Sequence, residues 1–342
     1  MARLLFRVFF FIFLLCNYAF AAKILIVTDE PTQKKAKEIK KLLLATPPFS
    51  LLKDFSVVIR FLPKESVTCS RPLVDQPQQG NDSVNDTQPN NIQEPQIPNS
   101  CKQMFSNAKN TSGNSDSEKE AAAQAQVQIA AAQRLVVCDA GQALMDISGK
   151  ENADRTIFVK ESDTWAGAGG SSITITTAVP PSGAIHELLH SFGFGDEYEY
   201  ASPCEADTYC PYVATGYWGN IAVLEDFSPY KSDASARQIH SSKIPWYSSI
   251  KPRTLITTGT SLGTPKKNEI GLHRIQVCDK AESKVTSWKP GSQTTVMETL
   301  NTGYIPTFYY AKIAESLGSK LQSQNSAIVT QPNSKKTEKG VK

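Results

Sequence analysis

Short apolar runs separated by polar stretches set the plan of the chain. Lys23 to Thr28 (KILIVT) is a continuous β-rich run, the pattern of a strand buried on both faces. Thr32 stands where it can cap a helix running to about Leu44, ended by Pro47 and Pro48, and Phe55 to Phe61 (FSVVIRF) reads as a second strand. That order of elements predicts an α/β or α+β start. Leu135 to Val137, Thr156 to Val159 and Ser171 to Thr177 read as further strands. The last, SSITITT, alternates as a strand with one exposed face does. The glycine-rich AGAGGSS that leads into it reads as a mobile turn, because it lacks the residues a phosphate loop needs. Phe308 to Leu321 carries an amphipathic pattern and predicts a closing helix.

The polar pattern is equally informative. Residues 75 to 116 are dominated by Gln, Asn, Asp, Ser and Pro, which cannot build a core, so an extended insert is expected there. It holds three matches to the glycosylation sequon, which start at Asn81, Asn85 and Asn110. Ser117 with Glu120 forms a capping-box pattern that opens an alanine-rich helix to about Ala132. Residues 323 to 342 are a polar tail. One domain over residues 22 to 322 is expected, interrupted by the insert, with no internal repeat.

The first 21 residues carry Arg3 and Arg7, an apolar run from Val8 to about Leu15, and the small-residue pattern Ala19, Phe20, Ala21. This is the pattern of a signal peptide, and its apolar run is short of the roughly 20 residues of a spanning helix. A secreted or periplasmic protein is expected, with no stable membrane insertion once the leader is removed. Beyond the leader stand Cys69, Cys101, Cys138, Cys204, Cys210 and Cys278, an even set that suits disulfides in an oxidising compartment. The pairs expected are Cys204 with Cys210 and Cys69 with Cys101. The absence of any C-x-x-C spacing argues against a cysteine zinc site. A formal charge of +3 over 342 residues, with both signs interleaved, excludes the basic footprint of a nucleic-acid binder.

The chemistry concentrates in HELLHSFGFGDEY, residues 186 to 198. On a helix, His186 and His190 share a face, so two imidazoles can reach one metal ion. Glu187 sits beside them as a candidate general base that is not itself a ligand. Gly193 can take positive φ and turn the chain back, which brings Asp196 to the ion as third ligand. Three protein ligands leave a position open for water, as a catalytic zinc site requires. Adjacent Glu197 is the alternative third ligand, and Glu225 a more distant one. The motif holds two of the chain's four histidines. The other two, His240 and His273, read as surface or hydrogen-bonded residues.

This motif resembles the extended HExxHxxGxxH/D signature of metzincin metallopeptidases in its aspartate form, and the trailing DEY is similar to the bacterial IgA peptidase M64 family. The family typically has Gly where this chain has Leu189, so that side chain must be accommodated. The resemblance implies a metzincin-like zincin, with a mixed twisted sheet, an active-site helix carrying HExxH, and a methionine turn for which Met297 in TTVMETL is the candidate. It also places SSITITT as the strand along which an extended substrate lies, and an exposed strand edge can pair with peptide backbone. The expected activity is hydrolysis of peptide bonds in a protein or peptide substrate, with Zn2+ as cofactor. A non-catalytic zinc-binding protein and a cell-wall amide hydrolase are the alternatives, since zinc chemistry alone does not specify a polypeptide.

Overall fold

A computed structural model describes residues 22–63, 68–70, 137–139, 141–165, 167–169, 172–200, 206, 210, 218–280, 284–319 and 321. The expected leader, the polar insert, the 117–132 helix, the polar tail and the Cys101 partner of Cys69 lie outside the described residues. The first apolar run forms strand β1 (Lys23–Thr28). Its alternate side chains serve two cores, Ile24 and Ile26 on one face and Leu25 and Val27 on the other. That explains why the run is apolar throughout rather than alternating.

Around β1 the sheet runs β2 (Ser56–Phe61), β1, β5 (Arg155–Lys160), β7 (Ser172–Thr176), β6 (Ala168–Gly169). The pairs β1·β2, β1·β5 and β5·β7 are parallel, and β6 is antiparallel to β7. On one face pack helices α1 (Gln33–Ala45), α3 (Pro181–His190) and α5 (Thr307–Ser316), through Ile39 and Leu43, Leu188 and Leu189, and Tyr309 and Ile313. Leu189 is accommodated in this core, fully buried. On the opposite face α2 (Gly141–Glu151) lays Ala143, Leu144 and Ile147 against Leu25, Val27 and Phe158. A short ladder pairs β3 (Thr68–Ser70) with β4 (Val137–Asp139), Cys69 opposite Cys138 in the backbone register.

A second, antiparallel sheet follows, in the order β8 (Ala222–Glu225), β10 (Val285–Lys289), β9 (His273–Lys280). One face packs with α4 (Asp233–His240) and Trp246 around Leu224, Leu272 and Trp288. The other carries Ile221, Ile275, Val277 and Cys278. The described residues therefore form a mixed α/β fold with a largely parallel sheet, a three-stranded antiparallel sheet and the short β3–β4 ladder. No helix among the described residues is long and apolar enough to cross a membrane.

Several expectations are corrected. Cys210 bonds to Cys278, 68 residues away, and not to Cys204. The partner comes from β9 because Cys210 packs onto that strand's cluster, a long-range contact no spacing rule encodes. Cross-linking so long a loop removes much denatured-state entropy, so Cys210→Ser/Cys278→Ser is expected to lose about 4 kcal/mol in urea unfolding. Thr32 does stand at the start of α1, but its hydroxyl caps nothing and bonds Asp29 Oδ1 at 2.5 Å instead. The SSITITT strand is not the sheet's edge. Part of the glycine-rich turn before it forms β6, Thr174 N donates to Gly167 O at 3.3 Å, and the outer edge passes to β6. The closing helix stops at Ser316, where Gly318 takes a φ of 58°.

Candidate metal centre

Helix α3 enters with Pro181 in its first turn, where a missing N–H costs nothing. It is buried from Gly183 to Leu189. At its end Gly193 takes a φ of 78°, so Gly193 N bonds His190 O at 3.0 Å and Phe194 N bonds Leu189 O at 3.2 Å. The freed Gly193 carbonyl accepts from Gly219 N at 2.8 Å and from Lys312 Nζ at 3.0 Å. Gly195 then threads a gap too narrow for a side chain. A Cβ there would lie 2.8 Å from both Ile221 Cδ1 and Trp218 Cγ. Asn220 holds this residue from both sides, accepting from its N–H at 2.7 Å and donating to its carbonyl at 2.9 Å. The turn delivers Asp196 back to the helix.

The two imidazoles are fixed by backbone carbonyls. His186 Nδ1 donates to Val296 O at 2.9 Å and His190 Nδ1 donates to Phe194 O at 2.8 Å. A carbonyl only accepts, so the proton of each neutral ring sits on Nδ1 and the Nε2 lone pair faces inward. Asp196 Oδ1 lies 2.9 Å from His186 Nε2 and 3.3 Å from His190 Nε2. Three acceptors thus converge, and with both rings neutral the buried Oδ1 has no hydrogen-bond donor among the described residues. Such an arrangement is repulsive unless a proton or a cation sits within it. Glu187 adds a carboxylate, its Oε2 3.9 Å from His190 Nε2, and the ligand atoms of His186, Glu187 and His190 lie within 4.8 Å of one another. This buried group can hold a metal ion. Two imidazole nitrogens and a carboxylate oxygen are donors suited to a divalent transition ion.

Without a metal the cluster resolves its repulsion by protonation. Burial alone would push both histidines down, but the Asp196 carboxylate outweighs it, raising His190 to about 9 and His186 in the same direction. Burial likewise pushes Asp196 up, and the facing imidazoles overcome that, holding its carboxyl well below the usual range. The raised histidine values mean that their share of the metal-free protein's stability is complete below about pH 6.5 and disappears as pH climbs through about 9. The depressed Asp196 value adds stability above about pH 4 that is lost in acid. In chelator, the unfolding free energy is expected to fall between pH 6.5 and 9, by on the order of 3 kcal/mol, and the melting temperature with it. A saturating divalent ion should abolish that fall, because it replaces the protons. A flat melting profile in chelator would contradict this account.

The adjacent carboxylate has a different task. Glu197, proposed as an alternative ligand, accepts from Asn220 Nδ2 at 2.9 Å, Thr295 Oγ1 at 2.7 Å and the Tyr309 hydroxyl, with Lys289 Nζ at 3.4 Å. Burial first, and then Glu197 itself, push the Tyr309 hydroxyl well up, so it stays a donor. Four groups occupying one fully buried carboxylate make Glu197 a tie between the site and the rest of the fold. The distant alternative, Glu225, is exposed on β8 opposite Val285. Met297 is fully buried, and its carbonyl accepts from Glu197 N at 2.9 Å. The residue before it supplies the carbonyl that orients His186. His240 and His273 are both buried and hydrogen-bonded, to the Tyr230 hydroxyl and to Glu269 O, each at 2.9 Å.

Sequence reasoning missed an aromatic wall. Tyr198 stacks on His186 with centroids 6.1 Å apart, Trp218 meets His190 edge-on at 5.8 Å, and Tyr200 donates to Asp196 Oδ2 at 3.3 Å. Tyr198 is the last residue of the motif and Tyr200 lies two residues beyond it, and only that nearness could have marked them. No family model and no curated protein matches this chain.

Proposed function

We propose that this protein is an exported zinc metalloendopeptidase whose site is of the metzincin type, resembling the IgA peptidase M64 family. The observation that carries the reading is the convergence of His186 Nε2, His190 Nε2 and Asp196 Oδ1 beside the Glu187 carboxylate. His186, His190 and Asp196 would hold the ion, which when bound polarises the scissile carbonyl and acidifies water. Glu187 takes the proton from the attacking water as its oxygen bonds to the carbonyl carbon. It returns that proton to the amine nitrogen as the C–N bond breaks. Val296 and Phe194 keep the imidazole lone pairs aimed by accepting from Nδ1.

Three further features support the reading. The sheet is mixed and lies against the helix carrying HELLH. The segment from Thr295 to Thr299 turns with Met297 buried, Glu298 N and Thr299 N both bonding Thr295 O at 3.1 Å, which suits a methionine turn. The Cys210–Cys278 disulfide fits an oxidising compartment. An extended substrate would then pair with β6 rather than β7. Purified protein is expected to carry about one zinc per chain by atomic emission and to cleave a peptide library, with cleavage stopped by chelator and restored by zinc. Zinc-loaded protein that leaves every peptide intact would sink the peptidase reading.

A further inference from the structure

The Asp196 carboxylate divides its two oxygens. Oδ1 faces the imidazoles, while Oδ2 is 3.3 Å from the Tyr200 hydroxyl. A carboxylate can rotate about its terminal torsion, which is broad and twofold, so something must hold the plane that aims one oxygen at the histidines. The helix cannot do this, since Asp196 lies beyond the Gly193 turn. Tyr200 is itself held. Its ring packs edge-on against Tyr198 at 5.7 Å, and Tyr198 stacks on His186. It also packs on the cluster of Ile221, Ile275, Val277 and Cys278, to which Cys210 and Trp218 belong as well. The β9 strand, the disulfide and the metal centre therefore meet at one tyrosine.

We infer that Tyr200 is a positioning residue that fixes the Asp196 carboxylate for metal binding. The inference rests on the metal-site reading above. Each histidine has its own orienting partner in a backbone carbonyl, and Tyr200 is the corresponding partner of the third ligand. It donates through a phenol to an acceptor-only group, so the bond strengthens the negative charge's placement without neutralising it. Groups that orient a metal ligand typically matter 10- to 100-fold in metal affinity.

The test uses the full chain, stripped of metal and titrated with zinc against a chromophoric chelator. Tyr200→Phe keeps the ring packing and removes only the hydroxyl. It is expected to weaken zinc binding about 10-fold and to shift the visible spectrum of the cobalt(II)-loaded protein. In an Asp196→Asn background, the same change is expected to have little effect on zinc affinity, because its route of action is gone. A Tyr200→Phe protein with wild-type zinc affinity and cobalt spectrum overturns the inference and leaves the peptidase reading standing. So does an undiminished 10-fold effect in the Asp196→Asn background, since the tyrosine would then act elsewhere. A wild-type chain that binds neither zinc nor cobalt overturns both.

Discussion

Glu187→Gln is expected to lower peptide hydrolysis by about 10²- to 10⁴-fold while the protein keeps its zinc. The two side chains have nearly the same size, and the position is almost buried on a helix packed into the main core. The change therefore removes a proton acceptor without opening a cavity. Since His186, His190 and Asp196 are the proposed ligands, zinc content should stay near one per chain and the melting temperature should move little. Measuring kcat/KM, bound zinc and melting temperature on one preparation separates the possible outcomes. Residual activity equal to wild type would remove Glu187 from its role. Loss of zinc along with activity would instead make Glu187 a ligand.

The neighbouring carboxylates give the second large effect, and they should fail in opposite ways. Asp196→Ala removes a proposed ligand and is expected to weaken zinc binding by more than about 100-fold, beyond what loss of an orienting group costs. The chain should still fold, because the core beneath it is unaltered. Glu197→Ala removes the acceptor of Asn220, Thr295 and Tyr309 and one of the two carboxylates facing buried Lys289. Glu298 still pairs with that lysine, so the loss is expected near the lower end of the 3–5 kcal/mol typical of a broken buried pair. Urea unfolding of the metal-free proteins and zinc competition together resolve the two. An Asp196→Ala protein with unchanged zinc affinity would show the ligand assignment to be wrong.

How far the site was legible follows from the range of the interactions involved. The placement of His186 and His190 on one face follows from helical spacing. The turn at Gly193 follows from the scarcity of positive φ in other residues, and Gly193 does take a φ of 78°. Strand β1 was equally legible, because continuous burial on both faces writes itself as a run of apolar residues. By contrast, α2 and the whole antiparallel sheet β8, β10, β9 were not anticipated. Their strands read through Arg274, Asp279 and Thr286 as much as through apolar residues, and the burial that stabilises them comes from Trp246, Leu262 and the disulfide. The strand SSITITT was found correctly as a strand but wrongly as an edge with one exposed face: Thr174 and Thr176 are as buried as Ile173 and Ile175, and alternation says nothing about what covers a polar face or pairs beside it.

By itself, then, the sequence determined the helix, its two imidazoles, the neighbouring glutamate and the turn that follows, since each depends on residues within four positions of one another. Tertiary structure alone decided the rest. It turned Asp196 and not Glu197 toward the imidazoles, because Asn220, Thr295 and Tyr309 already engage Glu197. It brought the Val296 carbonyl to His186 from 110 residues away, and set Tyr200 against Asp196 on the cluster around Cys278. Periodicity and propensity are local quantities. Which of two adjacent carboxylates faces the imidazoles is settled by contacts between distant segments, and these exist only once the chain has folded.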